Sequence, residues 1–147
     1  MDYESHLFLG GILGTIMILV MHHFYGWFES DLESIILMII IVYIYSLLPD
    51  VDAKSSQIVW TFIPLGLLAI TSGYLLKNDT YLVSGIALIA ITFIAAQFMP
   101  HRGFTHSILF GLAVSLPWIY LSWNYSVLAF ICFYSHLLGD EEYFKMV

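Results

Sequence analysis

His136 and Asp140 stand four residues apart, a spacing that sets both side chains on one face of a helix, one turn from each other, where they can converge on a single ion. A second group is His101-Arg102-Gly103-Phe104-Thr105-His106-Ser107. Its two histidines are not on one face of a regular helix, but Gly103 permits a turn that brings both rings to a common point, and Pro100 favours a break there. Arg102 offers a planar fork suited to a phosphate; its plainer reading is a topology-setting charge. A third group is Leu48-Pro49-Asp50-Val51-Asp52, in which Pro49 ends a helical pattern and Asp50 and Asp52 extend from an irregular loop, where one carboxylate could bridge two metals. Paired acids also cap turns and solvate loops, so this motif alone carries little weight. His6 lies close to the start of the chain.

Imidazole and carboxylate groups are the ligands of hard to borderline cations, whereas ordinary loops are dominated by Lys, Ser, Asn and Gly. His6, Asp50, Asp52, His101, His106, His136 and Asp140 are the candidate metal ligands. A structural zinc site closes with four ligands and a catalytic one with about three plus water. This larger set points to two ions, or to one ion with supporting residues around it. Zinc is the expected metal, with manganese or iron as alternatives.

The elements that must position these residues are membrane helices. Of 147 residues, 61% are apolar, 17% aromatic and only 10% charged, against about a quarter charged in soluble domains. The mean hydropathy is +0.90. Apolar runs cover residues 7–28, 32–48, 58–76, 81–99, 104–123 and 125–138. Most approach the roughly 20 residues a helix needs to cross about 30 Å of hydrocarbon, and the second and sixth are short. Backbone groups in lipid must be satisfied within the segment, and β-barrel strands would be shorter and alternating. The expected fold is all-α: a polytopic membrane bundle of about six transmembrane helices with short loops, forming a single domain over residues 1–147.

An even number of crossings places the N-terminus, the 49–57 link, the 100–103 link and the C-terminus on one side. His6, Asp50, Asp52, His101, Arg102, His106, His136 and Asp140 then share one membrane face. Ionisable groups at membrane depth are costly and are read by default as functional. Counted from Tyr125 at 1.5 Å per residue, His136 stands about 17 Å along its helix, below the headgroups. Lys54, Arg102 and Lys145 fall on the motif side and Lys77 on the other, which predicts a cytoplasmic site in the cell's inner membrane.

The remaining features have plainer readings. Met1-Asp2-Tyr3-Glu4 lacks the basic start of a signal peptide, so the first run is expected to remain as a spanning helix. Gly10 and Gly14, like Thr92 and Ala96, mark close helix contacts. The lone Cys132 excludes an internal disulfide and reads as packing. Trp27, Trp60, Tyr81 and Trp123 suit an interfacial belt, as do His22 and His23 beside Tyr25. Asn78-Asp79-Thr80 matches a glycosylation sequon but lies too close to the membrane to use it. The formal net charge of −7 argues against nucleic-acid partners.

The ordered series His6, LLPDVD, HRGFTHS and YSHLLGD resembles the YdjM-like membrane-bound metal-dependent hydrolases of prokaryotes, some of which are controlled by the LexA repressor. The resemblance spans nearly the whole chain, and HRGFTHS is its most specific part. It implies a metal centre drawn from these His and Asp residues, with a likeness to zinc-dependent phospholipases C. Two departures stand out. Family members often carry His after the second Asp, where this chain has Ala53, and many continue with an LTP-like segment where this chain has Asp140-Glu141-Glu142. Either the minimal site suffices, or Glu141 and Glu142 substitute for the missing groups.

These readings together predict a membrane-embedded phosphoester hydrolase acting on lipid at the interface through metal-activated water, with Asp52, Arg102 and His106 as catalytic residues. A metal-ion or proton carrier is the rival from another class, although carriers place ligands near the midplane. A non-catalytic metal-binding membrane protein is the third reading. Oligomeric state has no signature in the sequence.

Overall fold

The structure, a computed structural model, describes residues 3–99 and 103–140, and among these it is helical with no strands. The fold class is the one expected, an all-α helical bundle. Contacts divide the chain into two compact units, Met1–Pro49 with Gly103–Val147, and Asp50–Arg102.

In the first unit α1 covers Tyr3–Tyr25. It stops at Gly26, whose φ of 62° reverses the chain, with the Gly26 N–H donating to the His22 carbonyl at 3.0 Å. Asp31 caps α2 (Leu32–Leu47) by accepting from the Ser34 N–H at 3.0 Å. Pro49 was expected to end this helix in an irregular loop. Instead α2 tightens into a 3₁₀ helix over Leu48–Asp52, because a proline removes one donor from the α-helical ladder while its fixed φ still fits a helical turn. The PDVD acids therefore sit on a regular turn.

The expected fifth helix is interrupted. A 3₁₀ turn at Phe104–His106 precedes α5, Ile108–Ser115, and a second 3₁₀ stretch follows at Leu116–Tyr120. Pro117 sits near the start of that stretch, where its missing N–H disrupts α-helical pairing. The apolar helix Ile108–Tyr120 is thus short of a full span. Tyr45 closes one gap left there, donating its hydroxyl to the Val114 carbonyl at 2.6 Å while accepting from the Trp118 indole at 2.7 Å.

Trp123–Gly139 forms α6. Leu128, Ala129, Cys132, Phe133, Ser135, His136 and Leu137 on it are all fully buried, and it packs against α1, α2 and α5. This explains its shorter length and weaker hydropathy, since a helix wrapped by others faces little lipid. Gly10 and Gly14 let α1 approach: a Cβ on Gly10 would collide with Ser46 of α2, and one on Gly14 would lie 3.0 Å from Val42 and 3.1 Å from Cys132. Cys132 is a buried packing residue, as expected.

The second unit contains α3, Gln57–Leu76, and α4, Asp79–Phe98, packed along one another. Gly66, Gly73 and Gly85 allow the contact; a Cβ on Gly85 would reach the Gly66 carbonyl at 2.6 Å. Lys77 adopts φ 52° at the end of α3, and the Asn78 side chain caps α4 by accepting from the Tyr81 N–H at 3.2 Å. The sequon asparagine is thereby a helix cap.

Among the described residues four stretches, Tyr3–Tyr25, Leu32–Asp52, Gln57–Leu76 and Asp79–Phe98, are long and apolar enough to cross a membrane. Large apolar side chains such as Phe8, Leu19, Ile39 and Phe93 are exposed along them, a surface suited to lipid and not to water. The chain is a membrane protein.

Candidate metal centre

The first unit brings four of the predicted residues together. His6 lies on the face of α1 that also carries Gly10, Gly14 and Met17, all buried at helical spacing. Because α1 runs opposite in direction to α2 and α6, its start meets their ends. His136 occupies the last turn of α6, and Asp140 is the C-cap of that helix, its N–H donating to the His136 carbonyl at 3.0 Å. His106 lies in the 3₁₀ turn ahead of α5 rather than in the helix itself. That turn is held by Ser107, whose hydroxyl donates to the Phe104 carbonyl at 2.7 Å and accepts from the Phe110 N–H at 3.1 Å.

The Asp140 carboxylate is the hub. One oxygen, Oδ1, lies 3.4 Å from His6 Nε2, while Oδ2 lies 3.6 Å from His136 Nε2 and 3.8 Å from His106 Nε2. All three rings are buried and the carboxylate is only 3% exposed. The rings of His6 and His136 stack with centroids 3.6 Å apart, and those of His106 and His136 meet edge to face at 5.3 Å. Ligand atoms of His106, His136 and Asp140 all lie within 4.8 Å of one another.

The far side of two rings is also fixed. His136 Nδ1 lies 2.8 Å from the Ser46 carbonyl oxygen. A carbonyl only accepts, so Nδ1 carries a proton, which leaves Nε2 as the nitrogen that faces Asp140 and could bind an ion. Pro49 contributes here, because in 3₁₀ register it has no N–H to offer the Ser46 carbonyl three residues before it. His106 Nδ1 similarly lies 3.3 Å from the Thr105 hydroxyl.

This donor set fits a divalent ion. Bonds of 2.0–2.1 Å to a tetrahedral ion put neighbouring ligand atoms about 3.3 Å apart, and the 3.4–3.8 Å separations around Asp140 need to close by only a few tenths of an ångström. A buried Asp/His cluster of this kind can bind a metal ion; imidazole and carboxylate together suit zinc, iron or manganese.

The other predicted residues stand differently. Asp50 and Asp52 sit on the 3₁₀ turn Leu48–Asp52, where Asp52 is buried and Asp50 half-buried. His101, Arg102, Glu141 and Glu142 lie outside the described residues. The Ser46 carbonyl and the Thr105 hydroxyl were not anticipated. Thr105 could have been noticed as a hydroxyl adjoining His106, whereas a main-chain carbonyl has no residue signature. His22, read as an anchor, is tied at Nδ1 to the Phe28 carbonyl at 2.7 Å.

The family model described as YdjM inner membrane protein matches residues 1–142. The chain belongs to the YdjM inner membrane protein family. The match runs through every motif named above, including the cluster around Asp140. No curated protein and no solved structure matches the chain.

Proposed function

We propose that this YdjM-family chain is a metal-dependent hydrolase that cleaves a lipid phosphoester at the membrane interface. The observation that carries the reading is the buried Asp140 carboxylate facing three imidazole Nε2 atoms. His106, His136 and Asp140 would hold one ion, and His6 stands beside the other Asp140 oxygen. Asp50, which follows Pro49 on the 3₁₀ turn Leu48–Asp52, is the further ligand in this proposal. Zinc is the preferred metal, since three imidazoles with one or two carboxylates suit it better than magnesium or calcium.

A bound divalent ion would supply ionised water near neutral pH and polarise a phosphoryl oxygen. The chain's own groups do the rest. Ser46 and Thr105 orient the His136 and His106 rings. Asp52, buried two residues beyond Asp50, is the base for the attacking water. Arg102 grips a nonbridging phosphoryl oxygen as negative charge develops, with His101 beside it in the same motif.

The chain is proposed to cross the membrane several times with the site on the cytoplasmic side, in line with Lys54, Arg102 and Lys145 against Lys77. Placement at one end of α1, α2 and α6 favours an interfacial enzyme over a carrier, which would hold its ligands near the midplane. Release of phosphate or a phosphorylated headgroup from lipid vesicles is expected with metal and is expected to vanish in His136→Ala. Full activity in that variant overturns the proposal.

A further inference from the structure

The α1 and α2 helices enclose an open groove of about 360 Å³, lined by Leu7, Thr15 and Ile18 on one side and Met38, Ile39 and Tyr43 on the other. It is almost entirely apolar. Its position relative to the metal cluster gives it meaning. Leu7 directly follows His6, and Tyr43 precedes Ser46, the residue that holds His136, by three positions. One end of the groove therefore opens within a helical turn of the site. From there it runs along α1 to Ile18, and 11 residues at 1.5 Å each give about 16 Å, close to half the roughly 30 Å hydrocarbon core.

We infer that this groove seats one acyl chain of the lipid whose phosphoester is cleaved. The inference rests on the lipid-hydrolase reading and adds to it a specificity determinant. A headgroup held at the Asp140 cluster directs its chain down the adjoining groove through one leaflet, and the groove is distinguished by two helices that both lead back toward the cluster, through Leu7 next to His6 and Tyr43 three residues before Ser46. A lipid chain is already in an apolar phase, so the gain comes from close contact with the groove side chains and grows with the length of chain seated. The groove thus favours long-chain phosphoesters over short-chain ones.

The test uses the full chain in phosphatidylethanolamine vesicles containing a trace of phosphatidic acid that carries a photoreactive diazirine midway along one chain. After illumination, labelled residues are mapped by mass spectrometry. Labelling is expected to concentrate on Thr15, Ile18 and Ile39, several-fold above exposed residues such as Val83 and Phe93. Ile39→Trp, made on a side chain that is 63% exposed, should cut groove labelling several-fold. It should also raise KM for long-chain phosphoester several-fold, with a much smaller change for a water-soluble short-chain phosphoester. Ile94→Trp, on α4, should alter neither. Labelling spread evenly over the exposed residues of all four long helices, or an Ile39→Trp variant that labels as the parent does, overturns the groove assignment. Failure to hydrolyse any phosphoester, with groove labelling intact, overturns the hydrolase reading alone.

Discussion

Replacing Thr105 by valine probes how the metal centre is held without touching a ligand. The Thr105 hydroxyl lies 3.3 Å from His106 Nδ1, and both residues are buried. For His106 to offer the Nε2 lone pair toward Asp140, Nδ1 must carry the proton and the hydroxyl must accept it. Valine keeps the volume and removes the acceptor. A buried N–H deprived of its acceptor costs about 1–3 kcal/mol, and loss of a hydrogen bond behind a ligating imidazole weakens metal binding about 10–100-fold. At about 1.4 kcal/mol per tenfold these two figures agree, so the expected loss of affinity is one to two orders of magnitude. Titration of the purified protein with zinc against a chelator of known strength measures it. Thr105→Ser should restore most of the affinity, which a purely steric role for the threonine methyl would not allow. Unchanged affinity in Thr105→Val would refute the orientation assigned to His106.

Two neighbouring glycines should respond oppositely to alanine. Gly11→Ala places its Cβ in open space and should stabilise the protein by about 0.5–1 kcal/mol through helix propensity, whereas Gly10→Ala drives a Cβ into Ser46 and to 3.1 Å from Ser135, costing about 1–3 kcal/mol by overpacking; thermal unfolding in detergent should rank Gly11→Ala above the parent and Gly10→Ala below it. At the opposite end of α2, the Ser34 N–H and hydroxyl hold the Asp31 carboxyl below its usual value. A depressed folded value means that the cap stabilises above the ordinary carboxylate range and is lost as pH falls through the folded value. Asp31→Ala should therefore be less stable than the parent at pH 7 and nearly equal to it at the acid end, as read by melting temperature across pH.

Much of the site could be read from residue types and spacing. The four-residue interval of His136 and Asp140 sets both on one face of α6, and Gly10 and Gly14 mark the face of α1 that carries His6. Composition was sufficient for an all-α membrane protein. The limits have physical causes. The run from 104 to 123 reads as one apolar segment by hydropathy, yet Pro117 and the Ser107 cap divide it, so hydropathy overstates the length of the fifth helix. The sixth run is short because α6 is enclosed by other helices, a tertiary property that hydropathy registers only as weakness. Pro49 was legible as a helix stop, but its role in leaving the Ser46 carbonyl for His136 depends on a 3₁₀ register and on a partner 90 positions away.

The chain's four-residue cluster also explains why the ordered motifs are more informative together than apart. His6 alone is an unremarkable terminal histidine, and Asp140 alone is a helix cap. Burial at one point changes both, because imidazoles and a carboxylate removed from water require a shared positive charge or a network of hydrogen bonds. A metal ion meets that requirement for every member at once.

The most direct test is metal analysis of the detergent-purified chain after zinc loading and removal of loosely held ion, with Asp140→Ala treated in parallel. The account predicts at least one tightly held equivalent of metal per chain in the parent and its loss in Asp140→Ala. A parent chain that retains no metal, or an Asp140→Ala variant that retains as much as the parent, would contradict it.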